Sequence, residues 1–243
     1  MRRRSKIEVE IRNILSEELL ASLRHGEASS LLYLLFRFCE FIKECGGNKI
    51  RLNDLLQHRA NIFRLRPNWE KLSKRQNFRT IFGMDSEDYI QLNSRFERHL
   101  SVICNKSRLY WNFVSSLFSK KEAFKVEIEG EIKKGVLLFN EGLYFECHEF
   151  LEEIWRKENG REKEFLKGLI HAAVAFYHLE YENYKGTVNY LRRSYKRLKE
   201  FEPVFMGVDI RAFLSDVDNF LKSFEKSESG NQKEAIPKIR MVK

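Results

Sequence analysis

Apolar residues recur at helical spacing from the start of the chain. Ile7, Ile11, Ile14 and Leu15 mark one face at i, i+4, i+7 and i+8, and Leu19, Leu20 and Leu23 continue the stripe. Ser29 and Ser30 then offer an N-cap for a strongly apolar helix through about Glu44, which Gly46 and Gly47 end. A short extended K-I-R-L leads to Asn53, an expected N-cap for a helix carrying Leu55, Leu56 and Ile62. Arg66-Pro67-Asn68 breaks the chain, and Trp69 to Phe82 resumes as a basic, aromatic segment. The pattern predicts two further helices, from Glu87 to about Cys104 and from Leu109 to Phe124, with a turn at Asn105-Lys106-Ser107.

From about Lys125 the periodicity is cleaner. It predicts amphipathic helices over roughly 126–140, 143–157, 162–181, 185–201 and 209–225. They are separated by Asn140-Glu141-Gly142, Asn159-Gly160, the Asn183 to Gly186 turn, and Pro203 to Gly207. Such short connections favour antiparallel neighbours. The expected fold class is therefore all-α: a compact antiparallel helical bundle in the C-terminal half (123–226), a separate or packed helical N-terminal module (1–122), and a polar, disordered tail (227–243).

Composition sharpens this picture in three ways. Only three prolines and twelve glycines interrupt a chain that is 43% hydrophobic, so long helices are expected and β-structure is not. No run of about 18 apolar residues exists to cross a membrane, and the basic start MRRRSKIEVEIRN has no apolar stretch behind it to form a secretory signal. The four cysteines, Cys39, Cys45, Cys104 and Cys147, lack C-x-x-C spacing and have mostly apolar neighbours, which reads as buried, reduced thiols in a cytoplasmic protein rather than a disulfide frame or zinc knuckle.

The formal charge of +9 is unevenly placed. Residues 1–120 carry 22 Lys and Arg against 13 Asp and Glu, and the remainder carries 22 of each. The excess is concentrated in one segment, where Arg51, Arg59, Arg64, Arg66, Lys71, Lys74, Arg75 and Arg79 interleave with His58, Phe63, Trp69 and Phe78. Cations neutralise phosphates and aromatic rings stack on exposed bases, so this composition suits nucleic acid. I-R-L-N-D-L-L followed by a broken helix also fits the start of a helix-turn-helix-like element. The competing readings are an acidic protein partner and a solvated basic face whose aromatics pack inward.

A second pattern lies further along. FNEGLYFECHEFLEEIWR (139–156), FLKGLIHAAVAFYHLEYENYKG (165–186) and PVFMGVD (203–209) together resemble the uncharacterised bacterial and archaeal family called domain of unknown function 309. Gly142, Tyr144, His148, Glu149, Glu152 and Trp155, then Gly168, Leu169, Ile170 and His178, carry the resemblance over roughly residues 125–225. The sequence departs at His171, where glutamine is usual, and at Glu182 and Thr187. The resemblance implies an all-α bundle and no particular reaction.

On one helix, Tyr144, His148, Leu151, Glu152 and Trp155 share a stripe, and on the next His171 and His178 share a face with Gly168 and two alanines. If the small residues let these helices approach, His148, Glu149, Glu152, His171 and His178 would converge beside Trp155. A divalent transition metal held by His148, Glu152 and His178, in a metal-binding domain or a metal-dependent enzyme, is then one reading. The plainer alternative is a satisfied polar network that fixes helix register. H-E-x-x-E is not H-E-x-x-H, and no phosphate-binding loop or nucleophile elbow occurs, so a non-enzymatic binding or scaffolding protein is the leading expectation. Two turn-then-helix units about 43 residues apart, NEGLYFECHEFLEEIW and NYKGTVNYLRRSYKRL, also raise a faint helical repeat, an architecture that builds interaction surfaces.

Overall fold

The computed structural model describes residues 5–25, 29–57, 69–119, 128–226 and 235–242. These form two compact units, one within residues 5–119 and the other within 128–242.

The first unit opens with α1 (Lys6–His25), whose buried face carries Ile11, Ile14, Leu15, Leu19, Leu20 and Leu23, the stripe that the spacing marks. α2 (Ser30–Cys45) begins at Ser29, whose hydroxyl accepts the Leu32 N–H, and ends at Gly46 in the left-handed region at φ 66°. β1 (Lys49–Arg51) runs directly into α3 (Leu52–Gln57), so the helix starts before its expected cap, Asn53. Residues 58–68, which hold Ile62 and the Arg66-Pro67-Asn68 break, lie outside the described residues. α4 (Trp69–Ser73), α5 (Gln76–Ile81), β2 (Phe82–Met84), β3 (Tyr89–Leu92), α6 (Ser94–Glu97) and α7 (Leu100–Ser119) follow. Phe38, Phe78, Phe96 and Tyr110 are fully buried in this unit, and each buried aromatic of this kind contributes about 1.5–3 kcal/mol.

Three local expectations change here. The fold is all-α in class, yet β1, β3 and β2 form a small antiparallel sheet with Ile90 paired to Ile50 on one side and to Met84 on the other. The stretch expected as the start of a helix at Glu87 is instead a hairpin turn: the Asp85 carboxylate accepts the Glu87 and Tyr89 N–H groups, and Asp88 takes φ 61°. Asn105-Lys106-Ser107 does not break α7; Ile103, Ser107 and Tyr110 of this stretch are buried, so packing holds it helical, and the Ser107 hydroxyl donates to the Cys104 carbonyl within the helix.

The cysteine expectation is also corrected. α2 packs along α7 and brings Cys39 and Cys104 to a Cα separation of 5.4 Å, where they form a disulfide. Helix packing supplies a pairing that the absence of close sequence spacing hides. Cys147 is a buried free thiol and Cys45 an exposed one.

In the second unit the bundle elements are α8 (Ile128–Asn140), α9 (Tyr144–Trp155), α10 (Gly160–Glu180), α11 (Tyr184–Leu198) and α12 (Ile210–Lys226). A 3-10 turn (Lys199–Phe201) and a small hairpin, β4 (Val204–Phe205) with β5 (Val208–Asp209), join the last two helices. Phe139 sits at the centre, edge-to-face with Tyr144, Phe176 and Phe213 at ring separations of 5.3, 5.6 and 5.9 Å. Residues 235–242, expected as part of a disordered tail, lie against this unit: Pro237 and Ile239 are buried, and Met241 bridges to Val208. Polar composition dominates 227–234, outside the described residues, but not the I-P-K-I-R-M-V run after it.

Candidate functional site

α9 presents the stripe read from sequence, and each of its side chains has a neighbour. Tyr144 is buried against Phe139 and Phe176, and burial pushes its hydroxyl well above the usual tyrosine range. The His148 side chain is 14% exposed; its Nδ1 faces the Tyr144 carbonyl one turn back at 3.4 Å and its Nε2 meets Glu149 Oε1 at 3.1 Å. The imidazole ring lies 5.0 Å from Phe145 and 6.0 Å from Tyr177 of α10. Glu152 pairs with Arg156 on its own helix at 3.0 Å. The Trp155 ring is covered by the ammonium groups of Lys163 and Lys167, at 4.6 and 5.8 Å from its centroid. Its Nε1 is buried without a hydrogen-bond acceptor.

His171 and His178 do share a face of α10, but that face meets α11. Gly168 shows why: a Cβ there would stand 2.5 Å from Leu198 Cδ2, and the Ser194 hydroxyl donates to the Gly168 carbonyl at 2.8 Å. The small residue therefore admits α11, not α9. Tyr190 of α11 lies between the two histidines, 5.7 Å from the His171 ring and stacked on the His178 ring at 5.3 Å.

The protonation of His178 follows from geometry. The Asn183 Oδ1 accepts the Gly186 N–H at 3.1 Å, which fixes the amide so that Nδ2 donates to His178 Nδ1 at 2.8 Å. Nδ1 must then be unprotonated, and burial lowers the His178 pKa in the same sense. Burial also lowers the His171 pKa, aided by the positive charges of Lys167 and Arg193; its Nδ1 is buried without a partner.

His148 and Glu152 are thus held on α9, while His171 and His178 sit around Tyr190. Among the described residues, no group of three or more His, Cys, Asp or Glu side chains is placed to hold a metal ion. Sequence reasoning missed Glu146, a buried carboxylate on α9, because it falls off the aromatic stripe. It also missed a hollow of about 270 Å³ between α11 and α12, lined by Arg192, Tyr195, Asp218, Leu221 and Lys222, since no motif marks it.

In the first unit the basic segment divides. Arg75 donates to the fully buried carboxylate of Glu18 at 2.6 Å, a carboxylate that also takes hydrogen bonds from Ser29 and Asn77. Arg51 lies 3.9 Å from Glu87 and over the Tyr89 ring. A hydrogen bond from neighbouring Lys49 holds the Asp85 carboxyl below its usual range. Lys71, Lys74 and Arg79 are exposed on α4, α5 and the bend between them, Arg79 also bonding the Ser73 carbonyl through Nε. Phe78 is buried and its ring packs on Phe82, so it is core rather than a stacking platform. Arg59, Arg64 and Arg66, with His58 and Phe63, lie outside the described residues.

With this geometry in view, the similarity to known proteins falls on the bundle. Residues 132–190 match the family model described as domain of unknown function, DUF309. The resemblance is to that family. The uncharacterised protein YpuF of Bacillus subtilis (strain 168) is 39% identical over 57 residues, 23% of this chain and 33% of that protein. An uncharacterised protein of Aquifex aeolicus (strain VF5) is 28% identical over 102 residues, 40% of this chain and 31% of that protein. The chain therefore spans about a third of the length of these relatives. Among the described residues, no helix is long and apolar enough to cross a membrane.

Proposed function

We propose that this is a non-enzymatic binding protein whose 5–119 unit contacts nucleic acid through the α4–α5 segment, with the bundle as an interaction module. One observation carries the reading: Lys71, Lys74 and Arg79 are solvent-exposed on consecutive short helices, while Leu72 and Phe78 of the same helices are buried and anchor them. Exposed cations on an anchored support can follow a phosphate backbone without unfolding anything.

The order α3, α4, α5, then the β2–β3 hairpin gives the helix-turn-helix-like expectation a β-ribbon neighbour. The turn of that ribbon, Asp85-Ser86-Glu87-Asp88, is acidic and would repel phosphates. Contact accordingly falls to the helices and to Arg59, Arg64 and Arg66. Because the aromatic Phe78 is buried, binding by charge is favoured over base stacking, and weak sequence preference follows. A nucleic-acid partner suits a cytoplasmic location; in that reducing setting Cys39 and Cys104 would stand as neighbouring thiols.

The test is retention of a mixed DNA and RNA pool by the intact protein at about 50 and 200 mM salt. Binding should fall steeply with salt, and a Lys71→Ala, Lys74→Ala, Arg79→Ala variant should flatten the slope of log affinity against log salt by about 2–3. No retention, or retention insensitive to salt, ends the proposal and leaves an acidic protein as the partner to seek.

A further inference from the structure

Residues 235–242 lie in a cleft between two parts of the second unit. One wall is the end of α8, where Asn140 stands; the other is the β4–β5 hairpin, which connects α11 to α12 and packs Phe205 on Phe165 of α10. The Asn140 side chain acts as a strand edge: its Nδ2 donates to the Ile239 carbonyl at 2.8 Å and its Oδ1 accepts the Ile239 N–H at 2.9 Å. On the hairpin side, the Asp209 N–H donates to the Arg240 carbonyl at 3.0 Å and the Val242 N–H donates to the Gly207 carbonyl at 2.8 Å. Met241 pairs antiparallel with Val208.

Side chains alternate across this backbone lattice. Pro237 and Ile239 are buried, whereas Lys238 and Arg240 are exposed. The exposed pair is also matched in charge or polarity: Arg240 reaches Asp216 of α12 at 3.4 Å, and Lys238 donates to the Asn140 carbonyl. Main-chain bonding that adds a strand to a sheet edge, with pockets for alternate residues, is the chemistry by which proteins capture extended peptides. Gly207 keeps the floor open. It takes φ 73°, and a Cβ there would come within 3.2 Å of the Met241 methyl and 3.6 Å of the Val242 carbonyl.

We propose that this cleft is a peptide-binding site that reads an extended Pro-x-Ile-x-Met segment, and that residues 235–242 are its resident ligand, held in cis and replaceable by the same segment supplied in trans. Phe139, Phe176, Phe213 and Val217 of the bundle core belong to α8, α10 and α12, so the helices supply these core residues and the segment adds Pro237 and Ile239 beside them. Residues 227–234 join the segment to α12 in the chain, so its binding is intramolecular and competes with any free copy of the same segment.

The test uses the full chain with a specific protease sequence replacing residues 228–233, cut while folded and then separated from the released segment. A fluorescent peptide of residues 235–243 should bind the cut protein saturably, measured by polarisation. It should bind the uncut protein at least about tenfold more weakly, because the tethered segment competes. Asn140→Ala in the cut protein should weaken binding about tenfold or more, since two backbone hydrogen bonds are lost. A peptide with Ile239→Asp should not bind. Equal binding to cut and uncut protein, or by the Ile239→Asp peptide, overturns the proposal. So does loss of the helical circular dichroism signal on removing the segment, which would make residues 235–242 part of the core rather than a ligand.

Discussion

In the 5–119 unit a buried carboxylate ties three helices together: Glu18 of α1 takes hydrogen bonds from Ser29 at the start of α2 and from Arg75 and Asn77 at the start of α5. In the bundle the equivalent work is done by rings meeting edge-to-face around Phe139 and by a missing side chain at Gly168 that lets α10 and α11 touch. The contrast teaches how to read charge. In the first unit, cations that look available in the sequence are partly consumed as structure, Arg75 by Glu18, Arg95 by Glu10 and Arg108 by Glu40. In the second, His148, Glu152 and His178 look like a ligand set and are instead partnered one by one with their nearest neighbours.

The sharpest way to break this contrast is Glu18→Ala. It removes a carboxylate that is itself shut off from water and accepts from three donors, and a loss of about 3 kcal/mol is expected, moderated because Arg75 is part-exposed. The shift should appear in the urea midpoint of the first unit alone, and an unchanged midpoint would mean that the network does not hold those helices. Next in size is Gly168→Ala. With the new methyl 2.5 Å from Leu198, overpacking should cost the bundle about 2 kcal/mol. Adding Leu198→Ala should then cost less than the two single changes summed, a coupling that a double-mutant cycle reads directly.

The smallest effect is on pH dependence, and it belongs to the bundle. Burial lowers the pKa of both His178 and His171, so each binds protons more weakly when folded than the ordinary value of 6.5. The unfolded chain therefore takes up protons first as pH falls. The stability these two groups contribute is complete above about 6.5 and is lost as pH drops from there through their folded values. A His171→Gln, His178→Gln variant should show a flatter dependence of urea midpoint on pH across that window; an identical slope would show that neither group is coupled to folding.

Much of this was legible in the sequence. Helical periodicity gave α1 and the bundle helices to within a few residues, because each carries an apolar face and most are followed closely by Gly, Asn or Pro. The caps of α2 at Ser29 and Gly46 were equally plain. β3 was not, since four residues are too few for alternation to outweigh a helical reading of Glu87 onward. The face shared by Gly168, His171 and His178 was also readable. Which neighbour that face meets was not, because periodicity fixes angles on one helix and says nothing of its rotation against the next. Glu18 and Arg75 are 57 residues apart, and no local rule joins them. Asn140 reads as a turn residue; its hold on Ile239 depends on a segment 99 residues away.

The bond between Cys39 and Cys104 spans 65 positions and encloses β1, α3, α4, α5, β2, β3 and α6 in a covalent ring. The cationic stretch is thus threaded on a closed circuit rather than an open string. A cut inside that circuit converts a ring with two arms into two strands joined side by side, with nothing released. While that bond is formed, the part of the molecule that presents Lys71, Lys74 and Arg79 is a cassette with both ends fastened at one point between α2 and α7; reduction to thiols opens the circuit and leaves the same stretch held by packing alone.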